Sequence, residues 1–320
     1  IVLALALTLA ACASAPAPSL NSSSSSSRSK SSLELSTLLN LERSGAPSGL
    51  GEADFVYLND RSGTMQLYRQ RGKETKALTD YPDRLSSYQL SPDGKRLVFA
   101  KDQGGDENDQ LYLLTLATGV IRPLTAAPKV KHTLPVFDST GQQIAFTSTQ
   151  RNGKDFDLYV APVDGEGLLA LPPVRELAGS YSVAALDGKS VLLVEARSNV
   201  DQVLVLFDGK NLKPITPHTG DERWSGAVFS ADRRGVYALS DRGSEQTRLT
   251  RIELATLEQK VIYEQPYDLE KLVVDPTPRG DGERLMVVIN ERGIERPQLL
   301  SVTGAADATL SRAGASSIAE

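Results

Sequence analysis

A glycine turn recurs in this chain every 47 residues, and this period strongly limits what the chain can fold into. The repeated residues are Gly94, Gly141, Gly188, Gly235 and Gly282. Asp, Ser or Pro stands just before them, as in Ser91-Pro92-Asp93-Gly94, and these residue types initiate tight turns that a glycine completes with a positive φ. We therefore expect each glycine to adopt a positive φ in a hairpin.

Short apolar runs lie at fixed distances from these glycines. Residues 97–100 follow Gly94 within a few residues, a second run at 111–114 begins 17 residues after it, and another run at 134–137 precedes Gly141. A last short strand closes on Leu-Thr or a relative, as at Leu124-Thr125 and Ile215-Thr216. Four short strands repeated at a constant period are typical of β-propeller blades. A β-sandwich or two small β domains would have no reason to keep that period.

The sequence therefore predicts an all-β fold, a β-propeller with six visible four-stranded blades over residues 50–313. The inner strand of the first blade is not evident, and residues 33–49 are interpreted as a short helix or lead-in. The next glycine of the series would fall at position 329 (282 + 47), past residue 320. We expect residues 314–320 to begin a truncated continuation, so that the visible blades belong to an incomplete ring of seven or eight.

The first residues are typical of an export signal. Residues 1–11 are apolar and uncharged, too short for the ~20 residues of a membrane-spanning helix but of the length of a signal-peptide core. They run into Leu9-Ala10-Ala11-Cys12, which resembles the bacterial lipobox. We interpret residues 1–12 as a lipoprotein signal peptide with Cys12 as the lipidation site. The alternative is an ordinary secretory signal with an incidental cysteine.

A serine-rich stretch follows at residues 13–32, and it reads as a disordered tether because it cannot bury a core. Ser14 is not the aspartate associated with inner-membrane retention. We therefore expect an exported protein on the periplasmic face, lipid-anchored through its N-terminus, with the outer membrane favoured.

Composition excludes several classes of site. The chain has 35 Lys and Arg against 40 Asp and Glu, a net charge of −5, which argues against a nucleic-acid partner. One cysteine and two histidines leave no disulfide framework and little room for a zinc site. The acidic residues Asp106, Glu107 and Asp109 lack the spacing of an EF-hand loop and are interpreted as a solvated hairpin tip. We expect no metal and no cofactor.

Three stretches carry a family resemblance. Residues 90–100 (LSPDGKRLVFA) resemble the repeat shared by TolB-like propellers and prolyl-oligopeptidase-family propellers. Residues 102–112, and the run 223–230 leading into 240–245, are similar to blades of acylaminoacyl-peptidase and dipeptidyl-peptidase relatives. The resemblance covers roughly residues 50–304, and it favours the N-terminal propeller of an exported serine peptidase.

In that family a C-terminal α/β-hydrolase domain follows the propeller and carries a Ser-Asp-His triad, with the serine in Gly-x-Ser-x-Gly. These 320 residues contain no such motif, and the nearest stretch, residues 314–318 (GASSI), lacks the second glycine. The resemblance therefore implies no catalytic residue in this chain. A hydrolase domain and a peptide substrate would belong to the full-length parent.

Residues at the start of the inner strands are the candidate functional residues. A mixed-charge ring with one aromatic at the channel could screen peptides, and its candidates are Arg84, Lys131, Arg223, Trp224, Asp268 and Glu270. The competing interpretation is that these are solvated loop charges and a packed indole.

Three functions remain open from the sequence. The first is a non-catalytic propeller that gates peptide access to a hydrolase domain absent from this chain. The second is a stand-alone TolB-like periplasmic propeller that binds proteins. The third is a propeller enzyme, such as a lactonase, with a metal in the channel, and the shortage of histidine weighs against it.

Overall fold

The computed structural model describes residues 42–165, 168, 172–274, 283–303 and 309–312. Strands are the regular elements of these residues, and they form six separate antiparallel sheets arranged as a β-propeller. The all-β fold and the six blades predicted from the glycine period are therefore confirmed.

The strands are as follows. Blade 1 contains β1 (Ser44–Gly51), β2 (Asp54–Asn59), β3 (Gln66–Arg71) and β4 (Glu74–Ala77). Blade 2 contains β5 (Leu85–Leu90), β6 (Arg96–Lys101), β7 (Gln110–Thr115) and β8 (Val120–Pro123). Blade 3 contains β9 (Val136–Phe137), β10 (Gln143–Ser148) and β11 (Asp157–Pro162). Blade 4 contains β12 (Ser180–Asp187), β13 (Ser190–Ala196), β14 (Gln202–Phe207) and β15 (Leu212–Pro214). Blade 5 contains β16 (Trp224–Phe229), β17 (Gly235–Ser240), β18 (Arg248–Glu253) and β19 (Gln259–Tyr263). Blade 6 contains β20 (Leu269–Val274), β21 (Glu283–Glu291), β22 (Ile294–Thr303) and β23 (Thr309–Arg312).

Each blade is a meander whose strands pair in the order in which they occur in the sequence. From blade 3 to blade 6, the first strands of consecutive blades contact one another: β9 with β12, β12 with β16, and β16 with β20. The first strand is therefore the inner strand of its blade. In a propeller the inner strand lines the central channel, so the residues just before it lie at one opening of that channel.

Blade 1 corrects one expectation. Its inner strand exists and is β1, which begins at Ser44 within the stretch interpreted as a helix or lead-in. The sequence Ser-Gly-Ala-Pro-Ser-Gly-Leu-Gly has no β-branched or aromatic residue, so it lacks a strand signal and depends on tertiary pairing. Tyr88 of blade 2 supports it by donating its hydroxyl to Ser48 Oγ at 3.1 Å. Residues 33–41 lie outside the described residues.

Blade 3 departs from the four-strand pattern. Beyond β11, the described residues make only an isolated bridge between Leu158 and Arg175, with Leu158 N–H donating to the Arg175 carbonyl at 2.9 Å. Pro172 and Pro173 come just before this point. Proline has no N–H to donate to a ladder, so these residues are poorly suited to an outer strand.

The Leu-Thr pairs expected to end the outer strands lie just beyond them. Strand β8 ends at Pro123 and β15 at Pro214. The threonine hydroxyl instead accepts a hydrogen bond from the neighbouring third strand. Leu111 N–H donates to Thr125 Oγ1 at 2.9 Å, and Leu204 N–H donates to Thr216 Oγ1 at 2.8 Å. Each of these outer hairpins is therefore closed by a threonine side chain in addition to backbone pairing.

The positive φ expected for the repeated glycines is present at three positions and absent at a fourth. Gly94, Gly141 and Gly188 have φ values of 67°, 69° and 58°. Gly235 does not have a positive φ; in its turn Arg233 has that conformation, with φ 59°. Gly282 lies outside the described residues.

Gly235 is instead required by a buried arginine. A Cβ at this position would lie 3.0 Å from Cζ of Arg251, which is only 7% exposed. The Arg251 guanidinium donates to the Tyr237 hydroxyl at 3.0 Å and lies 3.5 Å from both the Asp232 and the Glu253 carboxylates. The missing side chain of Gly235 thus makes room for the buried Arg251 guanidinium and its ionic contacts.

Replacing Gly235 by alanine should therefore lower the free energy of unfolding by about 1–3 kcal/mol, the usual cost of overpacking a core. Urea unfolding followed by circular dichroism measures it. Gly49→Ala is the matched control, because Gly49 also lies in a strand but a Cβ there has nothing within 4 Å. Equal losses in both variants would show that the space beside Arg251 is not the constraint.

The core consists of five apolar clusters, one between each pair of consecutive blades from blade 1 to blade 6. Their largest fully buried side chains include Trp224, Tyr237, Phe99 and Phe146. Burial of each such side chain stabilises the fold by roughly 1.5–3 kcal/mol. The blades are thus held mainly by their neighbours, as in other repeat proteins.

Blade 6 presents an apolar row on its other face. Val273 pairs with Met286, and Met286 pairs with Leu299, so the three side chains lie side by side across β20, β21 and β22. Val273 is 50% exposed and Leu299 is 39% exposed. A following blade would cover such a face, and the incomplete ring stays a prediction.

Candidate functional site

The candidate site is the end of the propeller at which the inner strands begin. In every blade the first residue of the inner strand region pairs with a residue at or close to the end of the second strand. These pairs are Ser44 with Asn59, Leu85 with Lys101, His132 with Ser148, Ser180 with Ala196, Trp224 with Ser240, and Leu269 with Ile289. The shared register makes the six blades directly comparable at this end.

The residue just before this register position is exposed in every blade. We call these six residues the rim: Arg43, Arg84, Lys131, Gly179, Arg223 and Asp268. Four of the sequence candidates, Arg84, Lys131, Arg223 and Asp268, are thus placed at equivalent positions. Arg43 was missed because β1 was not recognised; the signal available in the sequence was Asp60, which directly follows β2.

Two rim arginines are held by the same pair of hydrogen bonds to one carboxylate, which we call the fork. Arg43 donates its backbone N–H and its Nε–H to the Asp60 carboxylate at 2.6 and 2.7 Å. Arg223 donates the same two groups to Asp241 at 2.8 and 2.6 Å. The Arg43 hydrogen bonds, the backbone one first, hold the pKa of Asp60 below its usual range. The rim positions of blades 1 and 5 are therefore ion pairs with oriented guanidinium groups.

Blades 2 and 3 hold their rim cations differently. In blade 3 the residue that follows β10 is Thr149, which accepts the Lys131 N–H at 3.0 Å and brings no negative charge. In blade 2 the corresponding Asp102 turns to its own loop and accepts the Glu107 N–H at 3.2 Å. Arg84 and Lys131 therefore lack the forked carboxylate of blades 1 and 5.

Blade 2 also buries a lysine directly below its rim position. Lys101 Nζ donates to the Asp102 carbonyl at 3.0 Å and lies 3.6 Å from the Asp83 carboxylate. The same ammonium lies 5.1 Å from the centre of the Tyr81 ring and 5.7 Å from that of Tyr112. This charge is satisfied inside the blade and is not offered to a ligand.

Trp224 is a core side chain. It is 1% exposed and packs in the cluster between blades 4 and 5, and its Nε1–H donates to Glu222 at 3.2 Å. The indole therefore does not face the channel, and the packed-indole interpretation describes it. The register predicts this, because Leu85 and Leu269 fill the same position in blades 2 and 6.

The two acidic candidates of blade 6 make hydrogen bonds within the propeller. Asp268 accepts the Thr247 N–H at 2.8 Å, and Glu270 accepts from Asn290 Nδ2 at 2.6 Å. Both residues are exposed. Asp268 therefore adds a negative charge to a rim that is basic in four of its other five positions.

The acidic loop of blade 2 shows no arrangement suited to a metal. Asp106 accepts hydrogen bonds from the backbone and side chain of Asn108, and these lower its pKa. Burial raises the pKa of Asp109, which accepts the Ser86 hydroxyl at 2.8 Å. Within the described ranges, no group of three or more His, Cys, Asp or Glu side chains is placed to hold a metal ion.

The two histidines have different surroundings. His132 is 7% exposed, and neither ring nitrogen has a hydrogen-bond partner among the described residues. His218 contacts Asp201, Glu222 and the Thr216 carbonyl. The hydrogen bonds described for these rings thus include none to a serine hydroxyl, which a triad would need.

In the part of the chain that the structure describes, no helix is long and apolar enough to cross a membrane.

No family model and no curated protein matches the chain. The comparison with solved structures does find similar folds. A prolyl endopeptidase is similar with a TM-score of 0.61 and 14% identity over 85% of this chain. The chain spans only 42% of the length of that enzyme.

Two other solved structures represent different functions. A putative TolB from Agrobacterium tumefaciens is similar with a TM-score of 0.52 and 21% identity, over 72% of this chain and 82% of its own. An oligogalacturonate lyase from Vibrio parahaemolyticus is similar with a TM-score of 0.57 and 14% identity, over 81% of this chain and 74% of its own. At these identities the likeness shows the propeller fold, and function has to be argued from the site.

Proposed function

We propose that this chain is the non-catalytic propeller portion of an exported serine peptidase, and that its rim screens peptides on their way to a hydrolase domain. The observation that carries the proposal is the rim itself. Six register-equivalent exposed positions surround one end of the propeller, and five of them bear a charged side chain. Charged groups around an opening select ligands by sign and steer their approach.

The similarity to a prolyl endopeptidase supports this proposal, because the matched region is a propeller that makes up less than half of that enzyme. The stand-alone alternative is a TolB-like protein-binding propeller, supported by the similarity to a putative TolB. Translation of the reading frame beyond codon 320 distinguishes them. A domain with Gly-x-Ser-x-Gly supports the peptidase, and a stop codon after one or two further blades supports the TolB-like protein.

The chain without residues 1–32 should hydrolyse neither peptide nor ester substrates. The chain lacks a nucleophile motif. A serine attacks an acyl group only when a base activates it and an oxyanion hole stabilises the intermediate. Release of a chromogenic leaving group, with and without a serine-directed inhibitor, measures it. Turnover that survives further purification and is abolished by the inhibitor would contradict the assignment.

We also propose that Cys12 carries the lipid and that the protein is anchored at the periplasmic face. Replacing Cys12 by serine should release the protein from membranes, because each acyl CH₂ contributes about 0.8 kcal/mol to anchoring. Membrane fractionation followed by immunoblotting measures it, with Ser14→Ala as the control that should stay membrane-bound. If the Cys12→Ser protein still sediments with membranes, the anchor lies elsewhere.

A further inference from the structure

Blade 3 carries three exposed lysines at the rim end of the propeller, Lys129, Lys131 and Lys154. We call them the lysine surface. In the part of the chain that the structure describes, none of the three forms an ion pair. The rim arginines Arg43 and Arg223, by contrast, are each paired with an aspartate at 2.7 and 2.6 Å. Blade 3 therefore presents positive charge that the protein does not neutralise with its own side chains.

Backbone contacts hold two of these lysines on adjoining loops. Lys131 N–H donates to Thr149 Oγ1, and Thr149 N–H donates to the Lys131 carbonyl, both at 3.0 Å. The loop after Thr149 folds back on itself, because Gly153 N–H donates to the Thr149 carbonyl at 2.7 Å. Within this loop, Asn152 Oδ1 accepts the Lys154 N–H at 3.0 Å. Lys131 and Lys154 thus lie in two connected, hydrogen-bonded segments at one end of the blade.

Lys129 occupies a turn position that favours glycine. Val130 N–H donates to the Ala127 carbonyl at 3.1 Å, and Lys129 has φ 72°. With Pro128 before it, this is a type II turn, whose third position prefers glycine. Gln110 holds the turn by donating its Nε2–H groups to the Ala127 and Val130 carbonyls at 3.2 and 3.3 Å. A charged side chain retained at a strained, exposed position indicates a role beyond the turn itself.

The neighbouring rim position of blade 4 leaves space beside these lysines. Its residue is Gly179, whose N–H donates to Asp155 Oδ1 at 2.9 Å. Asp155 also accepts from Asn152 Nδ2 at 2.8 Å and lies 3.7 Å from the Arg151 guanidinium. The carboxylate next to Lys154 in the sequence is therefore occupied by other groups. No rim side chain of blade 4 stands between an approaching ligand and the loop of Lys154.

The acidic loop of blade 2 does not neutralise the lysine surface. Asp106 accepts from Asn108 N–H at 3.0 Å, and Asp109 accepts the Ser86 hydroxyl at 2.8 Å. Neither carboxylate forms a described ion pair with the three lysines. Like charges repel, so this loop disfavours ligand carboxylates over blade 2 and leaves blade 3 as their place of contact.

We propose that the lysine surface binds the carboxylates of acidic peptide segments and positions them over blade 3. The inference rests on the proposed function, since it names the class of peptide that the rim admits. Lysine ammonium groups are point charges on flexible stems. They therefore suit a ligand that carries several carboxylates along an extended chain, and they impose no single side-chain geometry on it.

Fluorescence anisotropy with a fluorescein-labelled peptide of six glutamates tests the surface. The Kd should rise roughly 1.5- to 5-fold in Lys131→Gln and again in Lys154→Gln, the usual effect of one exposed charge pair. Lys95→Gln is the matched control, because Lys95 is 77% exposed and lies at the opposite end of blade 2. Equal Kd values for all three variants, or equal binding of a labelled peptide of six glutamines, would overturn the proposal.

Lys129→Gly separates binding from folding. Glycine adopts φ 72° without strain, so this variant should melt at a temperature at least as high as the parent chain does. It should nevertheless bind the glutamate peptide roughly 1.5- to 5-fold more weakly, because one ammonium group is lost. An unchanged Kd in a variant that melts as expected would show that Lys129 serves only the turn, and it would remove this residue from the surface.

Two further comparisons fix the ligand class and the relation to the proposed function. If a labelled single-stranded DNA of six thymidines binds as tightly as the glutamate peptide, the surface takes any polyanion and the assignment to peptides fails. A hydrolase domain beyond codon 320 together with no binding of the glutamate peptide would reject the surface and keep the peptidase. Binding without such a domain would reject the peptidase and keep the surface.

Discussion

Replacing Trp224 by alanine should lower the free energy of unfolding by about 3–5 kcal/mol, the usual cost of removing a fully buried aromatic side chain. The indole is 1% exposed and lies in one apolar cluster with Leu192, Leu204 and Ile215 of blade 4. Its removal would leave a cavity in the seam between two blades. It would also leave Glu222 without the indole hydrogen bond.

Urea unfolding followed by circular dichroism measures this loss, because Trp224 is the only tryptophan and the variant has no indole fluorescence. Arg223→Ala is the matched control. Arg223 precedes Trp224 directly, but its side chain is 50% exposed, so its ion pair with Asp241 contributes only about 0.2–1 kcal/mol. Equal losses in the two variants would show that the indole is not part of the core.

Replacing His132 by leucine should stabilise the protein, and increasingly so as the pH falls. Burial lowers the pKa of His132 to about 4, from 6.5 in the unfolded chain. Between these two pKa values, His132 is protonated in the unfolded chain and neutral in the folded chain. Stability is therefore complete above pH 6.5 and falls as the pH is lowered towards 4. The shift corresponds to a loss of about 3 kcal/mol at the acid end.

The leucine variant tests a specific structural claim. Leu85 and Leu269 occupy the register position of His132 in blades 2 and 6, so a leucine suits this site. At neutral pH we expect a gain of about 1 kcal/mol or more, because the buried ring nitrogens of His132 have no described hydrogen-bond partner. Unfolding free energies of both chains at several pH values between 4 and 7 measure it. A constant difference across this range would contradict the buried neutral histidine.

The glycine period predicted most of the architecture because each blade repeats the same local turn and strand signals. The prediction from the period failed where tertiary contacts, and not local sequence signals, determine the structure. Strand β1 has almost no strand-forming residue and exists because β2 pairs with it. The period was explained by glycines with a positive φ, but Gly235 does not have one. It keeps its place in the series because a side chain there would crowd Arg251.

The candidate site was predictable in position but not in detail. Arg84 and Lys131 are separated by the blade period, so the sequence could place them at equivalent rim positions. The forks from Arg43 to Asp60 and from Arg223 to Asp241 depend on how the ends of two strands meet, which the sequence does not show. Burial of Trp224 and the partners of His218 likewise depend on packing between blades.

Peptide kinetics in the product of the full reading frame test the rim most directly. Lys131→Glu reverses an exposed rim charge, and Lys95→Glu is the matched control, because Lys95 lies in a hairpin turn at the opposite end of its blade and its side chain is 77% exposed. For acidic peptides we expect Lys131→Glu to lower kcat/KM roughly 1.5- to 5-fold or more, since one exposed charge interaction contributes about 0.2–1 kcal/mol. Lys95→Glu should have no effect, and a minimal neutral substrate should be cleaved equally by both variants. Equal kcat/KM values for the two variants on acidic peptides would contradict a screening rim.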